Sequence, residues 1–298
     1  MDLTTFTQQL INGISLGSLY GLVAIGYTMV YGILRLINFA HGDLLMVAAY
    51  IGLYGVGLFS LPWPLAFGLA VALTGALGIM LDKGAYKPLR RAPRLSLLIA
   101  AIGASFLLEN LATVIIGGLP RAFPVPAWFA GTLKLGGLLV PRLSLWIVGV
   151  STVLLLGLFA LIYRTRVGAA MRAIAYDLET TRLLGINVDR IIALAFLVGS
   201  ALAAVGGLLW AMKYPQVNPL MGIMPGLKAF IAAVVGGIGN LWGAVAGGLI
   251  LGVLEIMIVA WLPTWGGYRD ALAFGLLMLV LLARPEGLWG TVRMEDKL

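Results

Sequence analysis

The sequence predicts an all-α fold, a polytopic integral membrane bundle of about eight or nine transmembrane helices, and three observations predict it. Hydrophobic residues make up 61% of the 298 and charged residues only 11%, whereas a soluble domain is about a quarter charged. Several apolar runs reach the roughly 20 residues that an α-helix needs to cross a bilayer's hydrocarbon core. Basic residues gather in a few segments between those runs, as they do in loops kept on one side of a membrane. No ten-residue stretch alternates in polarity, so a barrel of strands is excluded.

The first eight residues, MDLTTFTQ, hold no lysine or arginine, and the run behind them is longer than the core of a secretory signal, so residues 9 to 31 read as a retained span. Gly13, Gly17 and Gly21 recur there every fourth residue. Small residues on one stripe let helix backbones approach closely in lipid, where hydrophobicity alone gives helices no reason to associate. After a short turn with Arg35 a second span, 38 to 59, opens on NFAHGD. Asn38 is placed as a helix cap and Asp43 in the first turn, where a carboxylate can accept orphan amides. His41, the single histidine, is expected to be satisfied by a nearby backbone carbonyl or by Asn38.

Further spans follow at 63 to 81, 95 to 117, 142 to 163 and 191 to 211. Lys83, Lys87, Arg90, Arg91 and Arg94 lie between the third and fourth. Arg164, Arg166, Arg172, Arg182 and Arg190 lie between the fifth and sixth. With Arg35, Arg284, Arg293 and Lys297 these make fourteen of the twenty basic residues. All four segments are placed inside, which leaves the amino terminus outside, the carboxyl terminus in the cytoplasm and 118 to 141 as the longest external loop. Residues 213 to 284 are apolar but cut by GGIGN, with Gly236, Gly237, Gly239 and Asn240. Either two spans meet at a cytoplasmic GGIGN turn, giving nine, or one is a re-entrant hairpin, giving eight; fixing both termini favours nine. Gly243 with Gly247, and Gly248 with Gly252, repeat the packing spacing, so the span after GGIGN is expected to be buried against other helices.

Within 164 to 190, Ala170, Ile174 and Leu178 recur every fourth residue with Met171 and Ala175 beside them, while Arg172, Glu179 and Arg182 can face water. The pattern predicts a short amphipathic helix from Gly168 to Leu184 with Gly185 as its stop. Its compact, alanine-rich face suits a protein groove better than lipid headgroups.

Three acids fall inside spans: Asp43, Glu109 and Glu255. Carboxylates at that depth are costly and face the protein interior or water. Interhelical contacts are the first expectation for each, with Asn110 beside Glu109 as its partner; pathway lining comes second and proton coupling third. Two interruptions, NFAHGD and GGIGN, sit in the two halves of the chain, and paired breaks mark the region lining a transport pathway. Asn38, His41, Asp43, Gly236, Gly237, Gly239 and Asn240 are therefore candidates for a pathway or gate. GISLG, Gly13 to Gly17, fits a serine-hydrolase pattern with His41 as the only base, but lacks the strand-to-helix elbow that gives the pattern meaning. The net charge of +8 is distributed for lipid and not for nucleic acid. Without cysteine, and with one histidine, neither disulfide nor a conventional zinc site is available. No metal and no cofactor is called for.

Three stretches resemble the permease subunits of ABC importers for branched-chain amino acids, a type II-like importer architecture: NFAHGDLLMVAAY, GAAMRAIAYDLETTRLLGINVDR, and LKAFIAAVVGGIGNLWGAVAGGLILGVLE followed by RPEGLWG. The resemblance covers nearly the whole chain. It implies a single permease domain, 1 to 298, whose cytoplasmic loop 164 to 190 docks on an ATPase through Arg172, Ala175, Asp177, Thr180 and Gly185. Glu179, Thr180 and Thr181 replace a more usual Glu-Ala-Ala run, and Asp43 stands where glutamate is frequent. The implied partners are a second permease subunit, two cytoplasmic ATPase subunits, an external substrate-binding protein and membrane lipid, in a bacterial inner membrane. No G-x-x-x-x-G-K-[ST] loop occurs, so ATP phosphates must be cradled elsewhere. Urea, amides or other amino acids are alternative cargoes. An ion-coupled secondary transporter using Asp43, Glu109 or Glu255 is the rival class.

Overall fold

A computed structural model describes residues 2–90 and 92–290. Arg91, Arg293 and Lys297, three of the basic residues used to orient the chain, lie outside the described residues. Eleven helices follow one another: α1 (Leu3–Leu34), α2 (His41–Gly57), α3 (Trp63–Leu81), α4 (Arg94–Ile116), α5 (Arg142–Arg164), α6 (Arg166–Tyr176), α7 (Leu178–Leu183), α8 (Val188–Lys213), α9 (Ile223–Gly236), α10 (Leu241–Trp261) and α11 (Arg269–Ala283). Among the described residues seven segments are long and apolar enough to cross a membrane: α1, α3 with its extension to Leu89, α4, α5, α8, α10, and Gly266–Ala283 containing α11. With the shorter α2 and α9, nine helical segments form the bundle, and α6 and α7 lie apart at one end.

Short strands mark the other end. β2 (Thr132–Leu135) and β3 (Leu138–Pro141) form a hairpin in the loop between α4 and α5, and β1 (Arg121–Ala122) from the same loop pairs antiparallel with β4 (Gln216–Val217) after α8. Gln8 near the start of α1 exchanges hydrogen bonds with the backbone of Leu139, so the amino terminus shares this end.

α1 is the central post, with 89% of its apolar window buried. Its glycines run along α10. A Cβ on Gly13 would lie 2.8 Å from Val253 Cα, one on Gly17 2.7 Å from Leu249 Cα, and one on Gly21 3.5 Å from Val245 Cα. Gly248 and Gly252 meet Gly21 and Gly17 from the opposite side, while Gly243 and Gly247 press on the carbonyls of Gly236 and Ala232 in α9. The two glycine pairs of α10 thus serve two different neighbours.

α2 and α9 are short for a reason visible in the chain before them. Arg35 closes α1 in the left-handed region, φ 52°, and residues 36 to 40 climb back along α1 until His41 sits against Gly26. That is eight residues, roughly 12 Å at 1.5 Å per residue, from the end of α1. The span expected at 38 to 59 therefore starts three residues late and deep inside. After β4, residues 218 to 222 turn inward and bring Gly222 and Gly226 against Gly42. The two helices start where they meet, and run to opposite ends: Gly52 packs against Phe123 in the loop between α4 and α5, and Gly236 against Gly243 at the GGIGN turn.

At that second end, Arg90 bonds Asp82 at 2.5 Å and Asp189 at 2.7 Å, and Lys87 reaches Asp189 at 2.8 Å. These contacts tie the α3–α4 turn to the start of α8. The expected helix from Gly168 to Leu184 is two helices broken at Asp177. Asp177 has an extended backbone, φ −150° and ψ 110°, and its carboxylate oxygen Oδ1 accepts from the amides of Glu179 and Thr180. An aspartate that caps the following turn competes with continuation of the preceding one.

Candidate functional site

A cavity of about 210 Å³ lies where α2 and α9 meet, walled also by α1 and α4. Gly42, Gly222 and Gly226 make the junction close: a Cβ on Gly42 would stand 2.8 Å from the Gly222 carbonyl oxygen. Asp43 faces the cavity in the first turn of α2 and accepts a 2.5 Å hydrogen bond from Ser105 in α4. Glu109, one turn further along α4, brings its carboxyl against that of Asp43. The remaining wall is largely apolar: Phe39, Ile102, Phe106, Ile223 and Leu227, with Tyr27 from α1. The positive end of the α9 peptide dipole abuts the same space.

The other residues of NFAHGD support this corner from behind. The Tyr86 hydroxyl donates to Asn38 Oδ1 at 2.6 Å. Asn38 does not cap α2 with its side chain; Ala40 is the N-cap and the Asn38 carbonyl accepts from the His41 amide. The His41 imidazole, 1% exposed, packs 4.5 Å from the Tyr27 ring and bonds the Val23 carbonyl, so a backbone carbonyl and not Asn38 is its partner, while its Nε2 is buried without one among the described residues. Ser15 instead accepts from Lys213 at 3.1 Å. It lies eleven residues, roughly 16 Å, along α1 from Gly26, where His41 sits. The two halves of a hydrolase pair are thus apart. Asn110, expected beside Glu109, donates to the Phe106 carbonyl.

GGIGN is clasped by the chain's last described segment. The amides of Leu288 and Trp289 donate to the Val235 and Gly236 carbonyls, satisfying acceptors that the end of α9 leaves open. Asn240 caps α10 by accepting from Trp242 and Gly243, and its Nδ2 donates to the Trp289 carbonyl. Gly237 and Gly239 hold φ of 102° and 95°, a conformation that glycine adopts at least cost. The two interruptions of the sequence therefore stand at opposite ends of α9's reach: NFAHGD meets its amino terminus and GGIGN forms its carboxyl terminus.

Glu255 takes the interhelical role. It accepts from Lys228 of α9 at 2.8 Å and from the Tyr20 hydroxyl at 2.9 Å, and Lys228 also reaches Asp270 of α11 at 2.8 Å. Lys228 was missed in the sequence, although a lone lysine inside KAFIAAVVGG facing a span that carries a lone glutamate is a readable signal. Ser105 and Tyr27 carried no such signal, since small hydroxyl residues and tyrosines are scattered through most of the spans.

In the loop, Ala170, Met171 and Ile174 are buried, while Tyr176, Leu183 and Leu184 are 79%, 87% and 73% exposed. Arg172 turns back to the end of α5, donating to the Ile162 carbonyl with its guanidinium 5.5 Å from the Tyr163 ring centre. Gly185, φ 81°, ends α7. The Thr180 hydroxyl and then its amide hold the Asp177 carboxyl below the usual carboxylate range. A lowered folded value makes the cap fully present above about pH 4, the range of an unstructured aspartate, and lost as pH falls through the lowered value. Asp177→Ala is expected to speed amide exchange at Glu179 and Thr180 several-fold while Asp177→Asn keeps most of the protection, measured by hydrogen exchange at neutral pH.

Against known proteins, residues 9–281 match the family described as branched-chain amino acid transport system / permease component. The high-affinity branched-chain amino acid transport system permease protein BraD of Pseudomonas aeruginosa is 44% identical over 97% of both chains. LivH of Escherichia coli K12, named likewise, is 42% identical over 97% of both. A probable LivH of Methanocaldococcus jannaschii is 28% identical over 90% of this chain and 88% of that one. With a match this long, and relatives this similar from end to end, the chain belongs to the family of branched-chain amino acid transport permease components.

Proposed function

We propose that the chain is the membrane-embedded permease subunit of an ATP-driven importer that carries branched-chain amino acids across a bacterial inner membrane. The observation that carries this reading is the 44% identity to a permease of that name along 97% of both chains. The whole chain acts as one permease domain. It pairs with a second permease subunit, two cytoplasmic ATPase subunits and an external substrate-binding protein. The amino terminus faces outward and the carboxyl terminus the cytoplasm, in keeping with the described basic residues of 82 to 90 and 164 to 190 standing at the GGIGN end of the bundle.

Coupling runs through α6 and α7. Asp177, Thr180 and Gly185 set the angle of the short α7, Ala175 belongs to the last turn of α6 before that angle, and Arg172 anchors α6 to α5. The exposed Tyr176, Leu183 and Leu184 then meet a groove on the ATPase; large apolar side chains this bare beside charged neighbours favour a protein contact. Substrate passes the α2–α9 corner, with Asn38 and His41 supporting Asp43 there. GGIGN and the tail that clasps it gate the cytoplasmic end.

The test is leucine uptake into vesicles holding the complete transporter. Uptake is expected to require ATP and the loaded binding protein, and to fall at least tenfold in the Leu183→Ser/Leu184→Ser double variant while the chain stays inserted. Leucine uptake by this chain alone, without nucleotide, would exclude the proposal.

A further inference from the structure

We propose that Asp43 and Glu109 receive the primary ammonium group of an aliphatic amino acid, whose side chain lies on the apolar wall of the α2–α9 cavity. This rests on the amino acid importer reading above and assigns the contact that reads the cargo's charge.

The argument starts from an imbalance. Four other carboxylates enter the bundle or its rim with a cation at hand: Glu255 and Asp270 each have Lys228 at 2.8 Å, Asp82 has Arg90 at 2.5 Å, and Asp189 has Arg90 at 2.7 Å. Among the described residues no cation pairs with Asp43 or Glu109, 2% and 8% exposed, and no basic side chain lines their cavity. Ser105 supplies one O–H to Asp43. Glu109's carboxyl stands against that of Asp43, with the Ser105 and Tyr27 side chains lining the same cavity. Two adjacent carboxyls on a largely apolar wall turn acceptors of one sign toward a single gap. A ligand that carries a positive charge into that gap faces both.

A primary ammonium matches the two carboxyls in number as well as sign. It brings three N–H donors, and the two carboxyls offer acceptors that Ser105 leaves open. Ile102, Phe106, Ile223 and Leu227 line the same cavity and suit an aliphatic side chain, in the pattern of a mostly apolar pocket with a few convergent polar groups. The lining is selective by what it lacks: without a lysine or arginine it offers an anionic solute, such as the corresponding 2-oxo acid, no counter-charge. Phe106 is 59% exposed and Ile102 38%, so the cavity opens sideways between α4 and α9, on a face a second permease subunit can close.

The experiment is leucine uptake by the complete transporter in vesicles carrying Asp43→Asn, Glu109→Gln or Asp43→Glu. The two neutral variants keep size and hydrogen-bonding capacity, and are expected to lower uptake at least tenfold while still co-purifying with the partner subunits; Asp43→Glu is expected to restore at least half. Uptake at the wild-type rate in both neutral variants overturns the assignment, and so does failure to co-purify, which makes the pair structural. Collapse of wild-type uptake on adding a protonophore at constant ATP identifies a proton site and also overturns it. Absence of leucine uptake by the wild type itself refutes the importer reading instead.

Discussion

Lys228→Met is expected to destabilise the protein by about 3–5 kcal/mol, because it strands the Glu255 carboxylate inside the bundle. Lys228 and Glu255 are 7% and 6% exposed, so water cannot replace the lost partner cheaply. The Tyr20 hydroxyl at 2.9 Å remains as a single donor. A cavity of about 270 Å³ beside the pair, lined by Trp210, Tyr214 and Arg269, admits some solvent and holds the cost toward the lower bound. Asp270 contributes differently: its side chain is 47% exposed, and Asp270→Asn is expected to cost at most about 1 kcal/mol. The decisive comparison is the Lys228→Met/Glu255→Gln double variant. It removes both charges, and its stability should return most of the way to wild type, since a buried pair replaced as a whole is often neutral. Thermal unfolding of the four members of this cycle in detergent checks it. Equal loss in the single and double variants would show that the pair itself, and not the stranded charge, carries the energy.

This network explains how so short a helix as α9 is held. Fourteen residues span roughly 21 Å at 1.5 Å per residue, less than the roughly 30 Å core of a bilayer. α9 cannot be anchored by its length, so its sides and ends are: Lys228 to α10 and α11, Gly226 to Gly42, and Val235 and Gly236 to the tail. A short helix so fixed can present its first turn to a cavity at fixed geometry.

The long spans were legible because hydropathy and charge position are one-dimensional signals; five of the seven long segments lie close to where apolar runs and basic loops put them, while α10 and α11 fall within 213 to 284, for which no bounds could be set. The depth at which α2 and α9 begin was not, because it depends on residues 36 to 40 and 218 to 222 folding back into the bundle, and a non-helical return carries no hydropathic period. Asp43 and Glu109 could be singled out as charges in apolar runs, yet their meeting across α2 and α4 is a tertiary fact. The break at Asp177 was readable in principle, since D-x-x-T opening a turn is a capping pattern, but the apolar spacing of Ala170, Ile174 and Leu178 runs through it and outvotes it. GGIGN was recognisable as a break. That its partner is the RPEGLWG tail followed from nothing local.

The α1–α10 seam provides the second large effect, and one with an internal control. In lipid, close backbone approach supplies the dispersion contacts that hold helices together, so what matters is whether an added methyl group has anywhere to go. At Gly17 it would meet Leu249 Cα at 2.7 Å and the Gly248 carbonyl oxygen at 2.9 Å; at Gly13, Val253 Cα at 2.8 Å; at Gly21, Val245 Cα at an ordinary 3.5 Å. Backbone cannot rotate aside as a side chain can, so at Gly17 and Gly13 the helices themselves must separate. Overpacking of this kind costs about 1–3 kcal/mol, and Gly17→Val, with two further methyl groups, is expected to exceed that range and prevent recovery of folded protein. Gly21→Ala fits the existing gap, and alanine's helix preference of about 1 kcal/mol over glycine acts in its favour. Thermal unfolding in lipid nanodiscs should therefore rank Gly17→Ala and Gly13→Ala well below wild type, with Gly21→Ala level with it or above. The same loss at all three positions would mean that the seam yields along its whole length, and that the four-residue glycine spacing does not set the distance between these two helices.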